Sequence, residues 1–203
     1  MIANTTVSDY LFSLGSNSAT PGGGAAACVA GAQGAALVAM VCRLTREQSD
    51  SVTRILSAAD KARDKFIQLA DDDIQCFDEV MNAYKLRAAS AEEKAKKNQT
   101  IQQALKEAAS VPARMIDETI ALIPLTAELV EEGNRNLITD VGIAASLFEC
   151  VLTSSKLNIL VNIKHINDAQ FISRFDDKLA SSVEMIERTQ DINNRVETIL
   201  KHT

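Results

Sequence analysis

Residues 20–45 read TPGGGAAACVAGAQGAALVAMVCRLT, and this stretch decides the fold class. No residue from Tyr10 to Cys42 carries a charge, and small residues recur at every fourth position. They form two adjacent rows, Ala27, Gly31, Ala35 and Ala39 in one and Ala26, Ala30 and Gly34 in the other. Rows of small side chains let a neighbouring helix approach closely. The pattern predicts a buried central helix, from about Ala25 to Gln48, in a helical bundle.

A membrane span is the alternative interpretation of the same stretch, because residues 24–42 are long enough to cross a bilayer. The stretch holds few of the Leu, Ile and Phe residues that drive insertion, and Gln33 lies at its middle. We therefore expect no membrane association. The first ten residues, MIANTTVSDY, lack the basic and apolar segments of a secretory signal, so we expect a cytoplasmic protein with reduced cysteines.

Composition supports an all-α fold in one domain, residues 1–203. The chain has 29 alanines, three prolines, no Trp and only 4% aromatic residues, a balance that favours helices over strands. Its net charge of −6 disfavours binding to nucleic acid, whose phosphates need a basic surface. Four widely spaced cysteines and two histidines give no metal-ligand spacing, so we expect no metal site.

Apolar residues recur at intervals of three and four along most of the chain, as in helices. The longest run, from Val52 to Tyr84, corresponds to a helix of about 50 Å. A short helix over 7–14, ending at Gly15, precedes the central helix. Such long helices, apolar on more than one side, leave surface to cover, and pairing of two chains covers it. We expect a homodimer.

Local signals predict the later helix boundaries. Ser90 and Glu93 form a capping box that begins a helix. Pro112 and Pro124 lie inside the helix pattern that follows, so we expect that helix to kink or divide there. The remaining signals are Gly133, which ends this helix, Asp140, near which another begins, and Asn167–Asp168, which cap a last one.

The first candidate site is the glycine turn, defined as Thr20, Pro21, Gly22, Gly23 and Gly24. Its glycines allow the backbone to approach a ligand, and the free N–H groups of a helix start favour negative charge or carbonyl oxygens. No Lys-Ser/Thr pair follows, so the turn is not a phosphate-binding loop of the nucleotide-binding type. The same glycines also suit a tight turn with no ligand.

The second candidate is Asp73, within Asp71-Asp72-Asp73 on the longest predicted helix. Helical spacing places Asp73 on the apolar stripe and directs Asp71 and Asp72 toward solvent. A carboxylate on an apolar stripe is a candidate for a raised pKa and for proton transfer. The alternative is a structural carboxylate that bonds a neighbouring helix. Lys85, near the end of this helix, is a candidate contact for an anionic group.

The third candidate is GNRNLITD, residues 133–140. Thr139 or Asp140 suits a helix N-cap, which accounts for half of the motif. Asn134 and Asn136 are harder to account for structurally, because amides pair well with ring N–H and carbonyl groups. His165 and His202 are expected to be surface residues.

These motifs together resemble the family of formimidoyltetrahydrofolate cyclodeaminases and methenyltetrahydrofolate cyclohydrolases. The resemblance rests on residues 20–45, on DIQCFDEVMNAYKL at 73–86, on SAEEKAKKNQTIQQALKEAASVP at 90–112 and on GNRNLITDVGIAA at 133–145. It covers roughly residues 8–175. It implies an all-α homodimer that acts on a tetrahydrofolate derivative as substrate, with no metal and no tightly bound cofactor.

The resemblance also implies roles for individual residues. It implies that substrate is bound by the glycine turn, Lys85, Asn134 and Asn136. It implies a catalytic role for Asp73 and Asp140. The family commonly continues A-x-[KR]-L-P-K, whereas here Leu86 precedes Arg87 and Ala88, so a lysine at position 88 is missing.

Three functions follow from the resemblance. The first is conversion of 5-formimidoyltetrahydrofolate to 5,10-methenyltetrahydrofolate with release of ammonia. The second is hydrolysis of the methenyl bridge to 10-formyltetrahydrofolate. The third, suggested by the missing lysine, is a folate-binding or scaffold protein without turnover. A formiminotransferase partner is compatible with the first function.

Overall fold

The computed structural model describes residues 1–202, which are helical throughout apart from short connections. The helices are α1 (Val7–Leu14), α2 (Gly23–Arg43), α3 (Asp50–Lys85), α4 (Ala91–Glu132), α5 (Ile138–Ile163), α6 (Ala169–Ser173) and α7 (Asp176–His202). Short 3₁₀ turns lie at Ile2–Asn4 and Arg135–Leu137. The predicted all-α bundle is confirmed.

The small-residue helix α2 lies inside the bundle, between α3 and α5, and touches α4 as well. Two glycines explain the close packing on either side. A Cβ on Gly31 would lie 2.7 Å from the Phe66 ring, and one on Gly34 would lie 2.7 Å from the Phe148 ring. Both rings are fully buried. The rows of small side chains therefore receive aromatic rings from α3 and α5.

The end of α2 differs from the prediction, because the helix stops at Arg43 and not near Gln48. Side chains take the free carbonyls there: the Thr45 hydroxyl donates to the Val41 oxygen, and the Gln48 amide donates to the Cys42 oxygen. The Ser49 hydroxyl accepts from the Val52 N–H and so begins α3 at once. A polar turn with its own hydrogen bonds replaces the last predicted turn of helix.

The prolines do not divide α4, which runs unbroken through Pro112 and Pro124. Val111, Met115 and Ile123 beside them are buried, and packing of this kind outweighs the hydrogen bond that each proline removes. The capping box at Ser90 and Glu93 is confirmed, as is the helix end at Gly133.

The predicted last helix is instead two helices. Asp168 caps α6 through the Phe171 N–H, as expected. The chain then turns before Asp176, and Phe175 in this turn is buried against the edge of the Phe171 ring. Phe171 is only partly buried, so burial of the Phe175 ring accompanies a change of direction that helical periodicity alone did not show.

Two helical stretches are long and apolar enough to cross a membrane by length and composition, Gly23–Arg43 and Arg135–Ile163. In the bundle, 61% of the first apolar window and 44% of the second are buried.

The packing of α2 predicts opposite effects for two glycine substitutions. Gly34→Ala places a methyl group against Phe148 and should lower the free energy of unfolding by about 1–3 kcal/mol. Gly23→Ala is the matched control, because a Cβ there meets nothing within 4 Å and its φ is not positive. That change should stabilise the protein by roughly 0.4–1 kcal/mol. Urea denaturation measures both, and equal effects would contradict the proposed packing.

Candidate active site

A cavity of about 420 Å³ opens where the start of α2 meets the second half of α3 and the end of α5. Its volume is in the range that suits a small-molecule ligand. Thr20 and the glycines of the turn form one wall, and α4 closes another part through Leu105 and Ala108. The remaining lining residues include Asp73, Cys76, Phe77, Val80, Tyr84, Asn158, Asn162 and His165. The first two predicted candidate sites thus lie in one cavity.

Asp73 reaches the first turn of α2 because Gly24 has no side chain. A Cβ on Gly24 would lie 2.1 Å from Asp73 Oδ1 and 2.6 Å from Oδ2. The N-cap residue Gly22 offers no capping side chain, and the Asp73 carboxylate instead accepts a hydrogen bond from the Ala25 backbone N–H. Asp73 is therefore both the cap of α2 and the one carboxylate among the described residues that line the cavity.

Two opposing effects set the pKa of Asp73. Burial raises it, because the ionised carboxylate loses water, whereas the Ala25 N–H stabilises the ionised form and lowers it. Burial is the larger effect, so the pKa of Asp73 lies above its ordinary value. A carboxyl of this kind exchanges protons more readily near neutral pH, as predicted from the apolar stripe.

The prediction that Asp71 and Asp72 face solvent is wrong, because both are half-buried and both have partners. Asp71 accepts a hydrogen bond of 2.8 Å from the Ile2 N–H, and Asp72 pairs with Arg114 at 2.9 Å. Both are half-buried. Structural partners thus account for Asp71 and Asp72, whereas Asp73 faces the cavity.

Sequence analysis missed the polar groups that α5 adds to the cavity. Asn158 and Asn162 donate through Nδ2 to backbone carbonyls one turn earlier, at 3.1 and 2.9 Å. No described residue donates a hydrogen bond to either Oδ1 atom, so each is free to accept one from a ligand. Their four-residue spacing in the last, mostly apolar turns of α5 (LNILVNI, residues 157–163) was the available signal. His165, expected on the surface, lines the mouth of the cavity while remaining exposed.

Cys76 is the nucleophile candidate of the cavity, but burial raises the pKa of its thiol to about 11. A thiol in this state is a poor nucleophile at neutral pH. Within residues 1–202, no three His, Cys, Asp or Glu side chains are grouped as a metal ion would require. The cavity therefore offers proton transfer at Asp73 and hydrogen bonding at the two asparagines.

Lys85 is the last residue of α3 and is exposed. It follows Tyr84, which lines the cavity, but does not itself line it. Its role in binding stays a prediction.

The GNRNLITD segment lies at the opposite end of α2 in the same chain. The Asn134 amide donates to the Leu44 oxygen at 2.8 Å, and its backbone N–H donates to the Thr45 hydroxyl at 3.0 Å. Asn136 donates its N–H to Asn134 Oδ1. The predicted N-cap at Thr139 or Asp140 is wrong, because α5 begins at Ile138 after Leu137 and both residues lie in its first turn. With 21 residues, α2 separates this segment from the glycine turn by about 30 Å. One chain does not bring the three candidate sites together.

The fold and the cavity define a class of protein: an all-α bundle whose central small-residue helix begins at a glycine turn beside a half-buried carboxyl. A family model described as formiminotransferase-cyclodeaminase matches residues 6–181. The chain belongs to this family.

Relatives of known name agree with this assignment. The methenyltetrahydrofolate cyclohydrolase of Methylorubrum extorquens is 35% identical, over 99% of this chain and 98% of that protein. The formimidoyltransferase-cyclodeaminase of Mus musculus is 28% identical over 89% of this chain, which spans only 34% of that longer protein. A crystal structure of the formiminotetrahydrofolate cyclodeaminase from Thermotoga maritima matches with a TM-score of 0.86 and 33% identity, over 98% and 100% of the two chains.

The raised pKa of Asp73 predicts a pH-dependent effect of Asp73→Asn on stability. Below the ordinary Asp value of 3.8 the carboxyl is protonated whether or not the chain is folded, so it has no net effect there. As the pH rises from the ordinary value to the raised pKa, the unfolded chain ionises while the folded chain holds its proton, and the wild type loses stability that the amide variant keeps. The melting temperature of Asp73→Asn minus that of wild type should therefore increase with pH.

Asp78→Asn removes an exposed carboxylate from the same helix and controls for the change in net charge. A difference for Asp73→Asn that falls as the pH rises would show that hydrogen bonding, and not burial, dominates at Asp73.

Proposed function

We propose that this protein is a formimidoyltetrahydrofolate cyclodeaminase, which forms 5,10-methenyltetrahydrofolate and releases ammonia. The observation that carries the proposal is the half-buried Asp73 carboxyl in a cavity walled by the glycine turn. The formiminotetrahydrofolate cyclodeaminase of Thermotoga maritima, whose structure matches over nearly the whole of both chains, supports the proposal.

The reaction needs one proton to move between two nitrogens. N10 of the folate attacks the formimidoyl carbon on N5, which forms the C–N10 bond and a tetrahedral carbon. The proton on N10 must then leave, and the amino nitrogen must gain a proton before its bond to carbon breaks and ammonia departs. Asp73 takes the first proton as carboxylate and gives it back as carboxylic acid. A pKa above the ordinary value suits a group that needs both forms.

The rest of the cavity suits the substrate ring. The free Oδ1 atoms of Asn158 and Asn162 are acceptors for ring N–H groups, and Phe77 and Tyr84 offer aromatic surface. The glycine turn lets the substrate lie against the backbone beside Asp73. In the proposed binding mode these contacts hold the substrate ring with its reacting carbon next to Asp73.

The second candidate is methenyltetrahydrofolate cyclohydrolase, which the 35% identical Methylorubrum extorquens protein favours. Here water adds to the methenyl carbon and one C–N bond opens. The same carboxyl can remove the proton from water and return one to the departing nitrogen.

An assay with both substrates tests the proposal. Absorbance of the methenyl product rises when a cyclodeaminase acts on the formimidoyl substrate, and absorbance of the methenyl substrate falls when a cyclohydrolase acts on it. Measured ammonia release separates the first reaction from the second. A purified protein that binds these folates without turnover would support the scaffold alternative.

Asp73→Asn should reduce turnover by ~10²-fold or more, since the amide cannot exchange a proton at neutral pH. Substrate affinity should change less, because the amide keeps the shape and most hydrogen bonds. Single-turnover kinetics and a binding titration on the same sample measure the two effects. If Asp73 serves only to cap α2, turnover per folded molecule stays at the wild-type value.

Gly24→Ala tests whether the position of Asp73 matters as well as its presence. The new methyl group cannot coexist with Oδ1 at 2.1 Å, so the carboxylate must move by more than an ångström. Displacements of this size reduce rates by up to ~10²-fold. Gly34→Ala is the matched control, because it clashes with Phe148 far from Asp73. That control should lower the melting temperature and leave turnover per folded molecule unchanged.

A further inference from the structure

Three polar side chains lie in one row along the wall of the cavity that α5 forms. Asn158, Asn162 and His165 are four and three residues apart, so they share one face of the chain and span about 10 Å. The two asparagines are half-buried, and His165, just after the end of α5, is exposed. The row therefore leads from the interior of the cavity to its mouth.

His165 is the one basic side chain among the described residues that line the cavity, as Asp73 is the one acidic side chain. The two lie on different walls, because Asp73 belongs to α3 and His165 follows α5. No other side chain of residues 1–202 forms a hydrogen bond or an ion pair with the His165 ring. Since imidazole keeps an N–H donor in both of its protonation states, the mouth offers a free donor to an anionic group.

The backbone that carries His165 is held by α4, through the side-chain amide of Gln102. Its Nε2 donates to the His165 oxygen at 2.9 Å, and its Oε1 accepts from the Asn167 N–H at 2.8 Å. One turn later on α4, Lys106 pairs with Asp168 at 2.6 Å. One side chain thus holds two backbone groups of the connection between α5 and α6.

These hydrogen bonds fix a part of the chain that core packing leaves exposed. Ile166 is buried and ties the connection to the core, but His165 and Asn167 on either side of it are exposed. Gln102 bonds both of them. It lies three residues before Leu105, which lines the cavity. The helix face that forms one wall of the cavity therefore also fixes the backbone from which the imidazole ring extends.

We propose that His165 binds the carboxylate-bearing end of the ligand, and that Gln102 is a positioning residue that holds His165 at the mouth. The inference rests on the proposed function in that the ligand is a tetrahydrofolate. In such a molecule a benzoyl group separates N10 from the glutamate carboxylates, so a ring beside Asp73 leaves the carboxylates at the mouth. The cavity then matches the ligand at both ends, with the cationic methenyl group beside Asp73 and a carboxylate beside His165.

Binding of two probes, measured by titration calorimetry, tests the role of His165. Tetrahydrofolate lacks the one-carbon unit and cannot turn over, and in its diamide both glutamate carboxylates are replaced by uncharged amides. His165→Ala should weaken tetrahydrofolate binding by about tenfold, the usual loss for a hydrogen bond to a charged group, and should hardly change binding of the diamide. Lys164→Ala is the control, because it removes a neighbouring exposed cation that does not line the cavity. It should bind both probes as the wild type does.

A double-variant cycle tests whether Gln102 acts through His165. Gln102→Ala should weaken tetrahydrofolate binding by about fivefold in the wild type and have little further effect in the His165→Ala protein. A merely structural role would give the same loss in both backgrounds and would overturn the positioning role. Gln103→Ala is the matched control, because this neighbouring glutamine bonds Glu107 on its own helix, and it should leave binding unchanged.

Steady-state kinetics separate binding from proton transfer at His165. His165→Ala should raise KM for the folate that the protein turns over and leave kcat near the wild-type value. A fall in kcat at unchanged KM, an equal loss for both probes, or the same loss in Lys164→Ala would overturn the inference.

The two proposals can fail separately. If tetrahydrofolate binding depends on His165 as expected but the wild type turns over neither folate, the proposed function fails and the inference stands. A wild type that binds neither probe overturns the inference, and the turnover assay alone then decides the proposed function.

Discussion

Close approach to α2 is the constraint on which the rest of the structure depends. Phe66 and Phe148 enter the spaces that Gly31 and Gly34 leave, and Asp73 enters the space at Gly24. The absence of a Cβ thus allows core packing at Gly31 and Gly34 and allows Asp73 to reach the candidate site at Gly24. Because all three contacts lie along one helix, the position of the Asp73 carboxylate is fixed by the same packing that holds α3 and α5 in place.

Asp73 occupies a site where two electrostatic effects oppose each other. The start of a helix favours a negative charge, and an apolar cavity disfavours it. Since burial is the larger effect, the ionised carboxylate of Asp73 is less stable than that of an ordinary, solvent-exposed helix cap. The adjacent Asp71 and Asp72 show the contrast, because each has a partner that satisfies it. Three consecutive identical residues therefore have three different surroundings, which only the packing of α3 distinguishes.

Much of this organisation could be predicted from local signals. Helical periodicity located α3, the Ser90 capping box located the start of α4, and the spacing of apolar residues placed Asp73 on a buried stripe. Effects between distant residues could not be predicted this way. The unbroken helix through Pro112 and the cavity position of His165 depend on neighbours far away in the chain. The turn at Thr45 and Gln48 depends on local side-chain hydrogen bonds that helical periodicity does not show. The separation of Asn134 from the glycine turn could not be predicted either, because a sequence motif does not show which helix ends lie together in the fold.

The distance in sequence between α2 and α5 also matters for how the protein acquires its structure. α3 and α4 follow each other and can associate early, whereas Gly34 and Phe148 are joined only after a long intervening loop has closed. The cavity needs both partners, since its walls come from the beginning of α2 and the end of α5. A nascent or partly folded chain can thus contain most of its helix and still lack a ligand site, so recovery of ligand binding during refolding reports that α2 and α5 have come together.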